Sequence, residues 1–373
     1  MDYSQYANLP SADLHPATLR RIVTAMPPGR GRGAGSNPPN RFTKRSVVPD
    51  PEEADPEEPL PRTQFIKDSA RTIIARNDSP DVGFETSINP YRGCEHGCVY
   101  CYARPFHEYL GFSAGLDFET KILVKEDAPT LLREELSSPK WKPQTIALSG
   151  VTDCYQPAER KLRLTRGCLE VLAEFRNPVV IITKNHLVTR DVDLLSDLAR
   201  HRACAVAVSL TTLDANLARV MEPRTSTPSR RLAAIEALAA AGVPVGVNVA
   251  PIIPGLTDSE VPALLKAAVR AGASFAGHTV VRLPYAVKEL FEKWLEEHFP
   301  DRRQKVLHRI QEVRGGALND PRFGSRMSGE GVYAEQISAL FELSRKKAGL
   351  PEDSPELSTE AFRVPPGPQL TLF

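Results

Sequence analysis

The chain has 373 residues, 41% of them hydrophobic and 25% charged, with a formal net charge of +1. That is enough apolar material for a large α/β domain and too much for a disordered chain. A balance so near zero excludes an overall positive field as the means of drawing in nucleic acid, and six cysteines with no leader-like or membrane-length run argue against a disulfide framework and for a reducing cytoplasm.

Residues 1–64 predict a flexible arm. Pro27-Pro28-Gly29-Arg30-Gly31-Arg32-Gly33-Ala34-Gly35 and Asn37-Pro38-Pro39-Asn40-Arg41 carry too little apolar surface to offset ordering entropy. Arg20, Arg21, Arg30, Arg32, Arg41, Lys44 and Arg45 make it basic, and an acidic block from Asp50 to Glu58 follows. Such an arm can meet phosphates, or it can be a solvated tail whose two blocks neutralise each other. From Thr63 the composition becomes that of a folded domain, with an initial strand near Ser87-Ile88.

The next segment carries chemistry: Asn89-Pro90-Tyr91-Arg92-Gly93-Cys94-Glu95-His96-Gly97-Cys98-Val99-Tyr100-Cys101-Tyr102-Ala103-Arg104-Pro105. Thiolates at Cys94, Cys98 and Cys101 can wrap three corners of a cubane cluster while Gly93 and Gly97 relieve the tight backbone. No fourth cysteine stands nearby, which leaves one iron with an open position. The alternative is a structural zinc loop completed by His96 or a distant cysteine.

The spacing Cys-x3-Cys-x2-Cys, with Tyr100 directly before the last cysteine, resembles the radical S-adenosylmethionine (radical SAM) superfamily. The flanks Asn-Pro-Tyr-Arg-Gly and Cys-Tyr-Ala-Arg-Pro are similar to its spore photoproduct lyase-related, DNA-repair-photolyase-like branch, and the likeness extends over residues 84–284. It implies a [4Fe-4S] cluster on Cys94, Cys98 and Cys101 and S-adenosyl-L-methionine on the open iron. It also implies a low-potential electron donor such as flavodoxin or ferredoxin.

Further along, apolar β-rich runs recur at 145–148, 178–183, 204–209, 244–249 and 276–281, separated by amphipathic stretches at 162–175, 192–200, 229–241 and 260–271. Gly242 and Gly272 stand where two of those helices should end. Strand plus crossover helix, repeated about six times, predicts an α/β fold with a parallel sheet. The resemblance makes this a partial, open (β/α)6 TIM-like barrel over 65–286, with a helical C-terminal extension over 287–350 and disordered termini at 1–64 and 351–373.

Ligands of such sheets gather at the carboxyl ends of the strands. Ser149-Gly150-Val151-Thr152-Asp153 resembles the family's Gly-Gly-Glu segment but keeps only the central glycine, so the likeness implies a backbone role for Ser149, Gly150 and Thr152 toward the cofactor's amino group. Lys184 and Arg224 are placed by the resemblance on the cofactor carboxylate, Ser209 on ribose, and Asn248 on ribose or adenine. Backbone beside Tyr100 and Pro251 is placed on the adenine edge. Cys168 and Cys204 lie in apolar patterns and read as core. Cys154 is a candidate hydrogen-atom donor, as a cysteine is in spore photoproduct lyase, or a small buried turn residue. His96, His107 and His278 are possible substrate contacts.

Past the barrel, helices are expected at 287–298, 304–313 and 334–347, with a Gly/Arg loop at 315–331 that either closes over substrate or is a solvated connection. The chain ends Gln369-Leu370-Thr371-Leu372-Phe373, which resembles the bacterial sliding-clamp-binding pentapeptide; a tail folding onto its own core would look similar. The expected function is a radical enzyme acting in DNA repair or modification. The alternatives are radical modification of RNA, a peptide or a metabolite, and a non-catalytic iron–sulfur redox protein.

Overall fold

The structure, a computed structural model, describes residues 31–43 and 62–366. Ten strands are found among them: β1 (Gln64–Lys67), β2 (Ile74–Arg76), β3 (Thr86–Ile88), β4 (Tyr91–Arg92), β5 (Lys121–Val124), β6 (Ile146–Leu148), β7 (Val179–Thr183), β8 (Cys204–Ser209), β9 (Val245–Ile252) and β10 (Phe275–Val280). Seven form the main sheet in the order β2-β3-β6-β7-β8-β9-β10. Each neighbouring pair from β3 to β10 is parallel, whereas β2 runs antiparallel to β3 at the edge. The sheet keeps two ends, β2 and β10, so the six-unit parallel barrel is open, as expected. A small second sheet, β1-β5-β4, packs beside it.

Period-two patterning sets which side chains face inward. Val179, Ile181, Cys204, Val206 and Val208 are buried in the main core under the helices, while Val180, Ile182, Ala205, Ala207 and Ser209 line the lumen. The crossover helices Leu164–Phe175, Val192–Arg200, Pro228–Ala240 and Val261–Arg270 cover the outer face. Gly242 and Gly272 adopt φ of +74° and +100° just past two of them. There the N–H of Val243 donates to Leu238 O and that of Ala273 to Ala268 O, satisfying carbonyls that a helix end leaves open. The C-terminal helices Ala286–His298, Pro300–Glu312 and Val332–Lys347 follow. Phe291, Trp294, Leu295, Val306 and Ile310 form a second core with Tyr100, Met221 and Ile253, so part of the extension lies directly behind the cysteine loop.

The described parts of both termini pack against the rest of the chain. Residues 31–43 are not a free arm: Asn40 Nδ2 donates to Glu108 O and Phe112 O, Ser113 Oγ donates to Pro38 O, and the N–H of Leu116 donates to Ser36 O. Residues 351–366 also fold back. Phe362 packs on Phe175 at 6.3 Å between ring centroids, the N–H of Ser358 donates to Arg202 O, and that of Arg363 to Phe175 O. Both stretches satisfy their backbone groups against other loops rather than in a ladder, a solution that local propensity cannot signal. The remaining basic arm residues, the acidic block and Gln369 to Phe373 lie outside the described residues. No helix among the described residues is long and apolar enough to cross a membrane.

Candidate active site

The cysteine loop leaves β3 and β4 and is pinned by its own backbone. The N–H of Cys94 donates to Phe118 O at 2.9 Å, that of Val99 to Met221 O at 3.1 Å, and that of Cys101 to Cys98 O at 3.2 Å. Gly93 and Gly97 sit at φ of +83° and +69°, where a side chain would be strained. Cys94 and Cys98 are buried, Cys101 is half-buried, and all three line one large cavity. Burial pushes all three thiols up. At Cys94 the charges of Asp153 and the other two cysteines add to this, and at Cys98 that of Glu222 does. Thiols held this way become thiolates when cationic metal supplies the missing charge, so the donor set fits an iron–sulfur group.

His96 is not free to complete a zinc site. Its Nδ1 lies 3.4 Å from Asp153 Oδ2 and its Nε2 lies 3.1 Å from Asn185 Nδ2. Among the described residues no three His, Cys, Asp or Glu side chains close round a single ion. Corners of a cubane are separate irons, so its thiolates need not converge on one point.

Beside the loop, at the carboxyl ends of the strands, the cavity of about 1170 Å³ brings together Tyr100, Ser149, Gly150, Thr152, Lys184, Ser209 and Asn248. Ser149 takes φ of +87°, rare for a residue with a Cβ, at the turn after β6. Its Oγ donates to Thr152 O at 2.7 Å and accepts from the N–H of Cys154 at 3.0 Å. A Cβ on Gly150 would stand 2.9 Å from that of Ser87, which accounts for the retained glycine. Asn89 Oδ1 accepts from the N–H of Val151 at 2.9 Å and of Thr152 at 3.3 Å, and Tyr102 Oη donates to Gly150 O at 3.0 Å. Lys184 Nζ donates to Ala250 O at 3.0 Å and stands 5.9 Å from the Tyr100 ring centre, a cation at the wall between β7 and β9.

Several sequence candidates lie elsewhere. The Arg224 guanidinium pairs with Glu95 at 3.2 Å and is not among the cavity residues. Cys154 is buried in the main core; the preceding Asp153 takes the cavity side, and chain direction turns the next side chain away. Cys168 and Cys204 are core, as expected. His107 is buried between Phe112 and Phe118, its Nε2 2.9 Å from Lys121 O, whereas His96 and His278 do line the cavity.

The polar groups that hold this arrangement were not singled out from sequence. Asp153 accepts from Thr183 Oγ1 at 2.8 Å and from the N–H groups of Lys184 at 2.7 Å and Tyr155 at 2.9 Å. Burial works against its ionisation, yet His96 and these bonds keep its carboxyl below the ordinary range. Glu222 accepts from Tyr100 Oη, from Thr211 Oγ1 at 2.8 Å and from Arg231, whose guanidinium also donates to Ser209 O at 3.1 Å. One buried ion pair thus links the residue before Cys101 to the end of β8. In the run Met221-Glu222-Pro223-Arg224 it is the glutamate, not the arginine, that bonds to Tyr100.

A three-cysteine loop facing the carboxyl ends of an open parallel sheet defines the class: a radical enzyme working with an iron–sulfur cluster and S-adenosylmethionine. The family profile of the Radical SAM superfamily matches residues 88–268, and the chain belongs to that superfamily. An uncharacterized protein of Mycobacterium tuberculosis is 38% identical over 293 residues, covering 78% of this chain and 82% of that protein. One of Methanocaldococcus jannaschii is 30% identical over 199 residues, 53% of this chain and 71% of that protein. Among solved structures, spore photoproduct lyase with bound AdoMet and dinucleoside spore photoproduct superposes with a TM-score of 0.54 at 17% identity, over 76% of this chain and 78% of that one. That likeness shows a shared fold.

Proposed function

We propose that this enzyme holds a [4Fe-4S] cluster on Cys94, Cys98 and Cys101 and acts on DNA in the cytoplasm, in repair or modification. The observation that carries the cluster and cofactor reading is the joint arrival of three cysteine thiols and the strand-end groups of Ser149, Lys184, Ser209 and Asn248 in one cavity. When bound, the cluster and S-adenosylmethionine supply one-electron cleavage of the sulfonium and hydrogen abstraction from substrate. Lys184 offers a cation for the cofactor carboxylate and the turn at Ser149 to Thr152 offers backbone for its amino group. Ser209 and Asn248 offer hydrogen-bonding groups for ribose and adenine. Below them the lumen is lined by the apolar side chains of Val180, Ile182, Ala205 and Ala207.

DNA as substrate is supported by the cavity lining, where arginines stand over aromatic rings. Arg41 lies 3.6 Å from the Tyr285 ring centre, Arg326 4.4 Å from that of Phe323, and Arg282 4.7 Å from that of Tyr102. Such rings offer stacking faces for unstacked bases, while the charges of Arg41 and Arg326 are taken by Glu108 and Asp81. The solved relative's dinucleoside ligand is consistent with this reading. An electron donor such as flavodoxin or ferredoxin supplies the reductant, and Gln369 to Phe373 dock the enzyme on a sliding clamp.

Anaerobic reconstitution tests the chemistry. The wild type should take up about four iron and four sulfide per chain and form 5′-deoxyadenosine under dithionite; Cys98→Ala should do neither. Zinc in oxygen-free preparations, or a loaded cluster that leaves the sulfonium intact, would refute it. Substrate class is read separately, by whether a single-stranded oligonucleotide raises 5′-deoxyadenosine formation and a peptide or free metabolite does not.

A further inference from the structure

We propose that residues 31–43 are a strap built into the iron–sulfur site, with Gly33 and Glu119 as positioning residues that hold the cysteine loop in its metal-binding shape. The inference rests on reading Cys94, Cys98 and Cys101 as the cluster ligands. The strap lies wholly outside the stretch matched to the superfamily, residues 88–268.

Three contacts tie the strap to the loop. First, the fully buried Glu119 carboxylate accepts from the N–H of Gly33 at 3.0 Å and of Ala34 at 2.8 Å, and from Arg104 Nη2 at 2.6 Å. Arg104, also fully buried, extends its Nε to Cys98 O at 3.0 Å. A continuous line therefore runs from strap backbone through a charge pair to a cysteine carbonyl. Second, the strap backbone is pressed against the loop at Gly97: a Cβ on Gly33 would fall 1.6 Å from Gly97 O. Third, Arg32 Nη1 donates to Glu119 O at 2.9 Å and Nη2 to Thr63 Oγ1 at 3.2 Å, and Thr63 Oγ1 donates to Glu95 Oε1 at 2.7 Å. Glu95 and Cys98, on either side of Gly97, are thereby both tied to the strap.

The physical need is plain. A glycine-bearing loop that presents three thiols has many conformations, and each unproductive one weakens a site that requires all three sulfurs at once. Clamping its outer face removes those alternatives before metal arrives. Farther along, Asn37 Oδ1 accepts from the N–H of Asp117 at 2.9 Å and its Nδ2 donates to Asp117 Oδ1 at 3.1 Å, so the strap has an anchor that does not touch the cysteine loop.

The test compares three single variants of the full chain. Gly33→Ala inserts an atom where none fits, Asn37→Ala removes two anchoring hydrogen bonds without adding an atom, and Gly35→Ala enters open space and serves as control. Hydrogen exchange of the metal-free proteins reads the amides of residues 94–104. For the reconstituted proteins, the rate of iron loss to a ferrous chelator is measured, together with the spin-resonance signal of the reduced cluster with and without S-adenosylmethionine.

Gly33→Ala should lose loop protection and release iron about tenfold faster, and Asn37→Ala about threefold faster, with an altered cluster signal in the first. Gly35→Ala should match wild type. Unchanged exchange and iron release in both Gly33→Ala and Asn37→Ala would overturn the proposal. Should Gly33→Ala fail to fold, Asn37→Ala decides alone. Should the wild type take up no cluster, the cluster reading fails, and exchange in the metal-free proteins still decides the strap.

Discussion

Replacing Glu222 with glutamine removes one charge from the pair that joins the cysteine loop to β8. Glu222 is buried at 2% exposure and Arg231 at 1%, so neither has water to fall back on. Burial raises the Glu222 carboxyl, but the charges of Arg231 and Lys184 and the hydrogen bonds from Tyr100 and Arg231 more than offset this and bring it to about 2 from an ordinary 4.5. A depressed folded value means the ionised form is favoured by folding, by about 3 kcal/mol. An independent expectation, that one partner of a buried pair left alone costs roughly 3–5 kcal/mol, agrees. Urea unfolding of the metal-free protein at pH 7 should therefore show Glu222→Gln less stable by about 3 kcal/mol. The gap should hold at all pH values above about 4.5 and close as pH falls toward about 2, because the contribution exists only while the carboxylate is ionised. Adding Arg231→Met to the variant should recover part of the loss, since the second buried charge is then gone as well. A gap under about 1 kcal/mol at pH 7, or one that does not change between pH 7 and 3, would refute the reasoning.

Three other outcomes follow from single contacts. Lys184→Ala should leave iron content unchanged while raising KM for S-adenosylmethionine roughly tenfold, the loss of one charge-assisted hydrogen bond, measured as 5′-deoxyadenosine formation against cofactor concentration. His107 should stay neutral down to about pH 4, because burial lowers it more than Asp117 and the bond to Lys121 O raise it; its stabilising effect is complete above about 6.5 and lost as pH falls toward 4. Imidazole proton shifts followed by NMR from pH 8 to 5 should stay flat, and a midpoint above 6 would contradict this. Gly246→Ala would put a Cβ 2.4 Å from the Phe275 ring at the β9–β10 pair, so thermal unfolding should reveal a loss of about 1–3 kcal/mol.

The two kinds of site residue differed in how well they could be read. Cys94, Cys98 and Cys101 were legible because their ligand geometry is local: eight residues of chain decide it. The parallel strands were legible because a strand covered on its outer face repeats β-branched residues, as in Val179–Thr183, between helices of matching length. Arg224 and Cys154 were less so. Each sits close to the right strand end in sequence, but the direction of a side chain at a turn depends on what is packed beside it, here Glu95 for the arginine and the core for the thiol.

By itself, then, the order of amino acids determined what short-range chemistry can determine: a three-thiol loop, a βα repeat, and glycines where helices stop. Tertiary structure alone decided which distant charges meet. Glu222 with Arg231, Glu119 with Arg104, and Asp153 with His96 are separated in the chain but close in space. It also decided that a Gly/Pro/Arg segment lies along the cysteine loop rather than in water. The physical reason is that such contacts arise from satisfying buried charges and backbone groups across elements, and no periodic pattern along a chain encodes that.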